Sequence, residues 1–69
     1  MHSFKVTVQK KDYTIMPVAE KDQMLYQVYV NNNIICTIGL NNEAIWEANC
    51  EFPEDIVREI GEAIENYNA

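Results

Sequence analysis

Apolar and polar residues alternate along the first part of the chain, and alternation with a period of two predicts half-buried β-strands. Phe4, Val6 and Val8 alternate with polar residues in a first strand, and Lys10–Lys11 then turns the chain. The hairpin register that places every apolar residue on one face pairs Val8 with Tyr13, Val6 with Ile15 and Phe4 with Pro17. This register predicts the core face of the first two strands.

Two further strands follow a polar connection at residues 19–24. Tyr26, Val28 and Val30 supply the core face of the third strand. We interpret Asn31–Asn33 as a hairpin loop rather than a cluster of polar ligands, because Asn tolerates a positive φ and bonds its own backbone. A loop of these three residues pairs Val30 with Ile34 and Val28 with Cys36, and it predicts a fourth-strand core face of Ile34, Cys36, Ile38 and Leu40.

The period then changes, since a short strand is followed by a helical pattern. The fifth strand is expected to place Trp46, Ala48 and Cys50 on the core face, and to be short or irregular because Ala and Asn have weak strand preference. Pro53 suits the first position of a helix at residues 53–67. The apolar positions at helical spacing are Ile56, Val57, Ile60, Ala63, Ile64 and Tyr67.

Together these elements predict an α+β fold, in which an antiparallel β-meander of four to five strands carries one C-terminal helix packed on one face. Residues 1–69 are too few for more than a single small α+β domain. Pro17 breaks a local rule, because proline cannot donate to a β-ladder and is confined to edges, ends or bulges. Either strand pairing ends before Pro17, or the strand order is not sequential and the second strand lies at an edge.

The chain also resembles small bacterial proteins of uncharacterised function that have an antiparallel meander followed by one C-terminal helix. The residues that carry the resemblance are Tyr13-Thr14-Ile15, Trp46 and the helical segment Ile60-Gly61-Glu62-Ala63-Ile64-Glu65. The resemblance implies the fold and implies no activity, cofactor or substrate.

Charge is distributed unevenly along the chain, whose net charge is −6. Residues 36–69 carry eight acids and only Arg58 as a basic residue. Nucleic-acid binding normally requires a clustered basic face, so we expect no nucleic-acid partner. No apolar run approaches the roughly 20 residues of a membrane span, and residues 1–6 lack the features of a signal peptide, so we expect no membrane association and a cytoplasmic location.

Candidate chemistry is sparse. Cys36 and Cys50 are brought close if Leu40 pairs with Trp46, which makes a disulfide conceivable, but the expected cytoplasmic location favours two buried free thiols. His2 is the one histidine, so neither a zinc site nor an activated nucleophile is supported. We therefore expect no enzyme activity, no catalytic residues, no metal and no cofactor.

The outer face of the sheet is the strongest functional signal, because one helix covers only one face. An uncovered apolar patch of this kind marks a protein-interaction site, so we predict a protein partner or a homodimer. In the predicted register Tyr29 lies opposite Ile35. The predicted interaction residues are Met16, Val18, Leu25, Tyr29, Ile35 and Ile45.

Two other functions remain open. An acidic helix face formed by Asp55, Glu59 and Glu62 suits an inhibitor or decoy that binds a basic protein surface. A ligand-binding cleft between helix and sheet is the third hypothesis, although a pocket of about 300 to 1,000 Å³ competes with the core for volume in so short a chain.

Overall fold

The computed structural model describes residues 2–68, which form one antiparallel sheet and one helix. The strands follow each other along the sheet in the order β1-β2-β3-β4-β5, and the predicted α+β meander with a C-terminal helix is confirmed. The elements are β1 (Phe4–Val8), β2 (Lys11–Glu20), β3 (Gln23–Val30), β4 (Asn33–Leu40), β5 (Trp46–Ala48) and α1 (Glu54–Asn68).

The first hairpin is tighter than its sequence predicts. Val8 pairs with Lys11 and Val6 with Tyr13, so the predicted register is wrong by two residues. Gln9 and Lys10 form the turn with φ values of 50° and 66°. A two-residue turn with positive φ at both central positions matches the twist of the flanking strands. A shift of two residues leaves every side chain on its face, so alternation alone does not distinguish the two registers.

Pro17 lies beyond the end of β1. Phe4, the first residue of β1, pairs with Ile15, and Pro17 pairs only with Tyr26 of β3. The first explanation for Pro17 is therefore confirmed: pairing with β1 ends before the proline is reached. The alternative, with β2 at an edge, is wrong because β2 lies between β1 and β3.

The second hairpin replaces the predicted polar connection at residues 19–24. Glu20 pairs with Gln23, and the turn is only Lys21–Asp22, with Lys21 at a φ of 51°. Ala19, Glu20 and Gln23 are exposed strand residues. Polar side chains at strand ends do not prevent backbone pairing, so the sequence pattern made both strands look shorter than they are.

A β-bulge changes the third hairpin. Its turn contains two residues, Asn31 and Asn32, at φ values of 52° and 67°, instead of the predicted three. Val28 pairs with Cys36 as expected, but Tyr29 pairs with Ile34, so Ile35 is the extra residue of the bulge. Ile34 consequently shares the face of Tyr29, and its predicted position in the core is wrong.

The helix packs on the predicted face of the sheet. Val28 and Cys36 are buried on the helix side, while Tyr29 and Ile35 lie on the other side, as the alternation predicts. The buried core residues are Phe4, Val6, Val8, Tyr13, Ile15, Val28, Cys36, Ile38, Val57, Ile60 and Ile64. Leu40 points to the same side but stays 43% exposed at the end of β4, so its predicted burial is wrong.

Helix α1 contacts both edge strands, β1 and β5, as well as β4. It begins one residue later than predicted, because the carbonyl of Pro53 accepts the first helical hydrogen bond from the Val57 N–H, at 3.0 Å. Near its end Tyr67 stacks on Phe4 with ring centres 3.9 Å apart, although Tyr67 is 60% exposed. The helix therefore contacts both edges of the sheet.

Strand β5 is short, as predicted, and pairs Leu40 with Trp46 and Ile38 with Ala48 in the predicted register. Beyond it, Asn49 continues the ladder in an irregular way: its N–H donates to the Thr37 carbonyl, and its side-chain Oδ1 accepts from the Thr37 N–H at 2.9 Å. This places Cys50 beside Cys36.

Cys36 and Cys50 form a disulfide, with Cα atoms 5.7 Å apart. The prediction of two free thiols is therefore wrong. That prediction depended on the assumed compartment, whereas the predicted strand register alone was already compatible with a disulfide.

Candidate functional site

The candidate site is an apolar area on the sheet face opposite α1, which we call the rear patch. It consists of Met16, Val18, Leu25, Tyr29, Ile34 and Ile35. Five of these six residues were predicted from alternation, and the bulge adds Ile34. Among the described elements, the helix lies on the other face, so no secondary structure in residues 2–68 covers this patch.

Two clusters make up the rear patch. Val18 pairs with Leu25, and Met16 follows on the same face two residues before Val18. At the other end Tyr29 lies opposite Ile34 at the bulge. The Tyr29 hydroxyl donates to Oε1 of Gln27 at 3.0 Å, so the Tyr29 side chain extends along β3 toward the first cluster. Gln27 thus lies between the two clusters on the rear face of β3.

Gly39 shapes the Leu25 end of the rear patch. A Cβ atom at Gly39 would lie only 2.8 Å from Cδ2 of Leu25, which is closer than such atoms approach in proteins. Leu25 therefore rests on the bare backbone of β4 and stays half-buried. The most exposed apolar side chains are at the other end, where Ile34 is 51% and Ile35 39% exposed.

Ile45, the sixth predicted interaction residue, does not join the rear patch. It lies in the loop before β5 and is 55% exposed. It borders a cavity of about 500 Å³ together with Phe52, Val57 and Arg58, which belong to the helix side. Alternation failed here because residue 45 precedes the strand, after Ala44 has turned the backbone with a φ of 61°.

The predicted acidic face is partly engaged within the molecule. The Gln9 side-chain amide donates to Glu59 at 2.6 Å and to Asp55 at 3.3 Å. Glu62 is exposed on the same helix. The structure therefore ties two of the three acids to the β1–β2 turn, which links the start of α1 to the sheet.

Among residues 2–68, Tyr13 is the one group with a shifted pKa, and it lies in the core rather than on the rear patch. Burial raises the pKa of Tyr13 above its ordinary value of 10.0. Phe52 packs against the Tyr13 ring edge-to-face, with centres 5.9 Å apart. Tyr13 is therefore neutral at physiological pH and contributes to packing.

A cavity between helix and sheet, where the third hypothesis expects a cleft, lies at the end of α1. It has a volume of about 450 Å³. It is lined by Gln23, Met24, Tyr26, Leu40, Trp46, Ile64, Glu65 and Asn68. The cavity reaches the core at Ile64, which is 1% exposed, and its other lining residues are partly or fully exposed. Trp46 is the residue whose position in the sequence could have indicated this cavity, because it is an aromatic residue at the start of a short edge strand.

Two features are absent from residues 2–68. No group of three or more His, Cys, Asp or Glu side chains in this range is placed to hold a metal ion. None of the helical structure in the same range has the length and apolar character that a transmembrane helix requires.

Comparison with known proteins adds no functional information. No family model, no curated protein and no solved structure matches the chain. The resemblance noted from the sequence is confirmed only for the arrangement of elements, an antiparallel meander followed by one C-terminal helix.

Proposed function

We propose that this chain is a noncatalytic protein-interaction module that associates with a second copy of itself through the rear patch. The observation that carries the proposal is the uncovered apolar surface around Tyr29, Ile34 and Ile35. Exposed apolar patches of this kind mark association surfaces, because their burial removes apolar area from water.

The bulge strengthens the proposal. An ordinary strand would place only one of two neighbouring residues on the rear face, whereas β4 directs both Ile34 and Ile35 there, next to Tyr29. Fully burying an isoleucine or a large apolar side chain contributes about 1.5–3 kcal/mol. Because a symmetric dimer buries the same patch twice, each of these side chains contributes in both copies.

The test compares two substitutions of the same kind. Ile35→Lys places a charge in the rear patch, and Ile45→Lys places the same charge at another exposed position apart from it. We expect Ile35→Lys and Tyr29→Lys to abolish self-association in sedimentation equilibrium. Ile45→Lys should leave the dissociation constant of the dimer unchanged. Circular dichroism checks that all three variants are folded.

Two results would contradict the proposal. One is a wild-type protein that stays monomeric at the highest concentration measured. The other is an equal loss of association in Ile35→Lys and Ile45→Lys, which would indicate a contact surface near β5 instead.

A further inference from the structure

The cavity at the end of α1 combines aromatic rings with a carboxylate. Tyr26 and Trp46 line it with ring centres 5.8 Å apart and ring planes inclined by 59°. Glu65 also lines it, and its Oε1 accepts a hydrogen bond from the indole Nε1 of Trp46 at 3.1 Å. The carboxylate is therefore held beside the two rings by a specific contact.

We propose that this cavity binds an alkylammonium group. A cation is attracted to the electron-rich faces of aromatic rings, within about 6 Å of their centres. Tyr26 and Trp46 both line the cavity, so a cation bound there lies beside two rings. Glu65 keeps acceptor capacity after the bond from Trp46, because an ionised carboxylate offers about four lone-pair sites.

The negative charge of the cavity lining favours a cation over neutral or anionic ligands of similar size. Glu65 is the one charged residue among the eight that line the cavity, and none of those eight is Lys, Arg or His. The whole chain carries a net charge of −6, which also attracts cations. The apolar side chains of Met24, Leu40 and Ile64 suit the methyl or methylene groups that surround an alkylammonium nitrogen.

Both aromatic rings of the cavity are held in place by contacts with α1. Trp46 packs against Gly61, where an added Cβ would overlap the indole ring. The Asn68 side-chain amide donates to the Tyr26 hydroxyl at 3.5 Å. A binding site whose rings are already positioned loses less entropy when a ligand binds.

Trp46 provides the measurement, because it is the one tryptophan of the chain and its fluorescence reports directly on the cavity. The probes are tetramethylammonium and choline, with sodium chloride as the ionic-strength control and dimethylbutanol as the neutral carbon isostere of choline. We expect saturable changes with both ammonium compounds, and binding of dimethylbutanol about tenfold weaker than that of choline.

The matched variants are Glu65→Gln and Glu62→Gln, which remove the same charge from the same helix. Glu65→Gln keeps an acceptor for the Trp46 N–H but should weaken choline binding about tenfold. Glu62 does not line the cavity, so Glu62→Gln should leave the affinity unchanged. Equal effects of the two variants, equal binding of choline and its neutral isostere, or no response beyond that of sodium chloride would each overturn the proposal.

A second set of probes identifies the source of the ammonium group. A short peptide with a trimethyllysine is compared with the same peptide with leucine at that position and with free choline. Tighter binding of the trimethyllysine peptide than of choline supports a protein-borne group, and the reverse order supports a free small molecule. Equal binding of the trimethyllysine and leucine peptides, without choline binding, would contradict the proposal.

Discussion

Single residues decide how closely α1 approaches the sheet. Gly61 is buried in the helix although glycine costs about 1 kcal/mol relative to alanine at such a position. The structure explains this cost, because a Cβ at residue 61 would overlap the Trp46 indole. The helix and β5 therefore pack closely only with glycine at this position.

Gly61→Ala should destabilise the protein by up to about 2 kcal/mol, since overpacking a core contact costs about 1–3 kcal/mol and the helix-propensity gain offsets about 1 kcal/mol of this. Urea unfolding followed by circular dichroism measures the change. In a Trp46→Leu background the same substitution should become neutral or stabilising, because the overlapping ring is gone. A destabilisation of equal size in both backgrounds would show that Trp46 is not the cause.

At the scale of elements, the disulfide joins β4 to the segment after β5. It closes the chain between Cys36 and Cys50, a sequence separation of 14, and this segment includes the whole short strand β5. β5 has only three residues, and it provides Trp46 to both the helix contact and the cavity. The disulfide thus fixes the most irregular part of the sheet.

Replacing both cysteines, in Cys36→Ala/Cys50→Ala, should lower the free energy of unfolding by about 3 kcal/mol, the value expected for a closed loop of about 15 residues. Denaturant unfolding of the wild type with and without reducing agent provides the comparison. Reduced wild type and the double variant should have similar stabilities. A wild type whose stability does not respond to reduction would contradict this prediction.

The disulfide also bears on localisation. The expectation of free thiols relied on the expected cytoplasmic location, whereas disulfides persist mainly in oxidising compartments. The cytoplasmic location stays a prediction. In a reducing compartment we expect the less stable dithiol form.

At the scale of the whole molecule, net charge separates the proposed homodimer from the alternative acidic decoy. Each copy carries a charge of −6, so two copies repel each other at long range while their rear patches attract at contact. A decoy that presents Asp55, Glu59 and Glu62 to a basic protein would instead be attracted at long range.

Raising the ionic strength should therefore tighten the homodimer severalfold, because salt screens repulsion between like-charged copies and leaves apolar burial in place. Sedimentation equilibrium at low and high sodium chloride measures the effect. Binding of a basic partner by the acidic helix face would instead weaken as salt is added, because salt screens the attraction between opposite charges. A dimer that weakens as salt is added would contradict association through the rear patch.

The sequence alone determined the element order, the helix and the face of most strand residues. Alternation is a local property of the chain, so Val28 and Tyr29 were assigned to opposite faces without knowledge of their neighbours. The same reasoning located five of the six rear-patch residues. It also predicted the pairing of Leu40 with Trp46.

Tertiary structure decided what depends on contacts between segments. Registers that differ by two residues preserve every face, so the pattern left the β1–β2 register undetermined until the turn selected it. The bulge that directs Ile34 outward and the pairing of Cys36 with Cys50 require neighbouring strands to be in place. The cavity exists only where the end of α1 meets β3, β4 and β5, because its lining residues are far apart in the sequence and are brought together by folding.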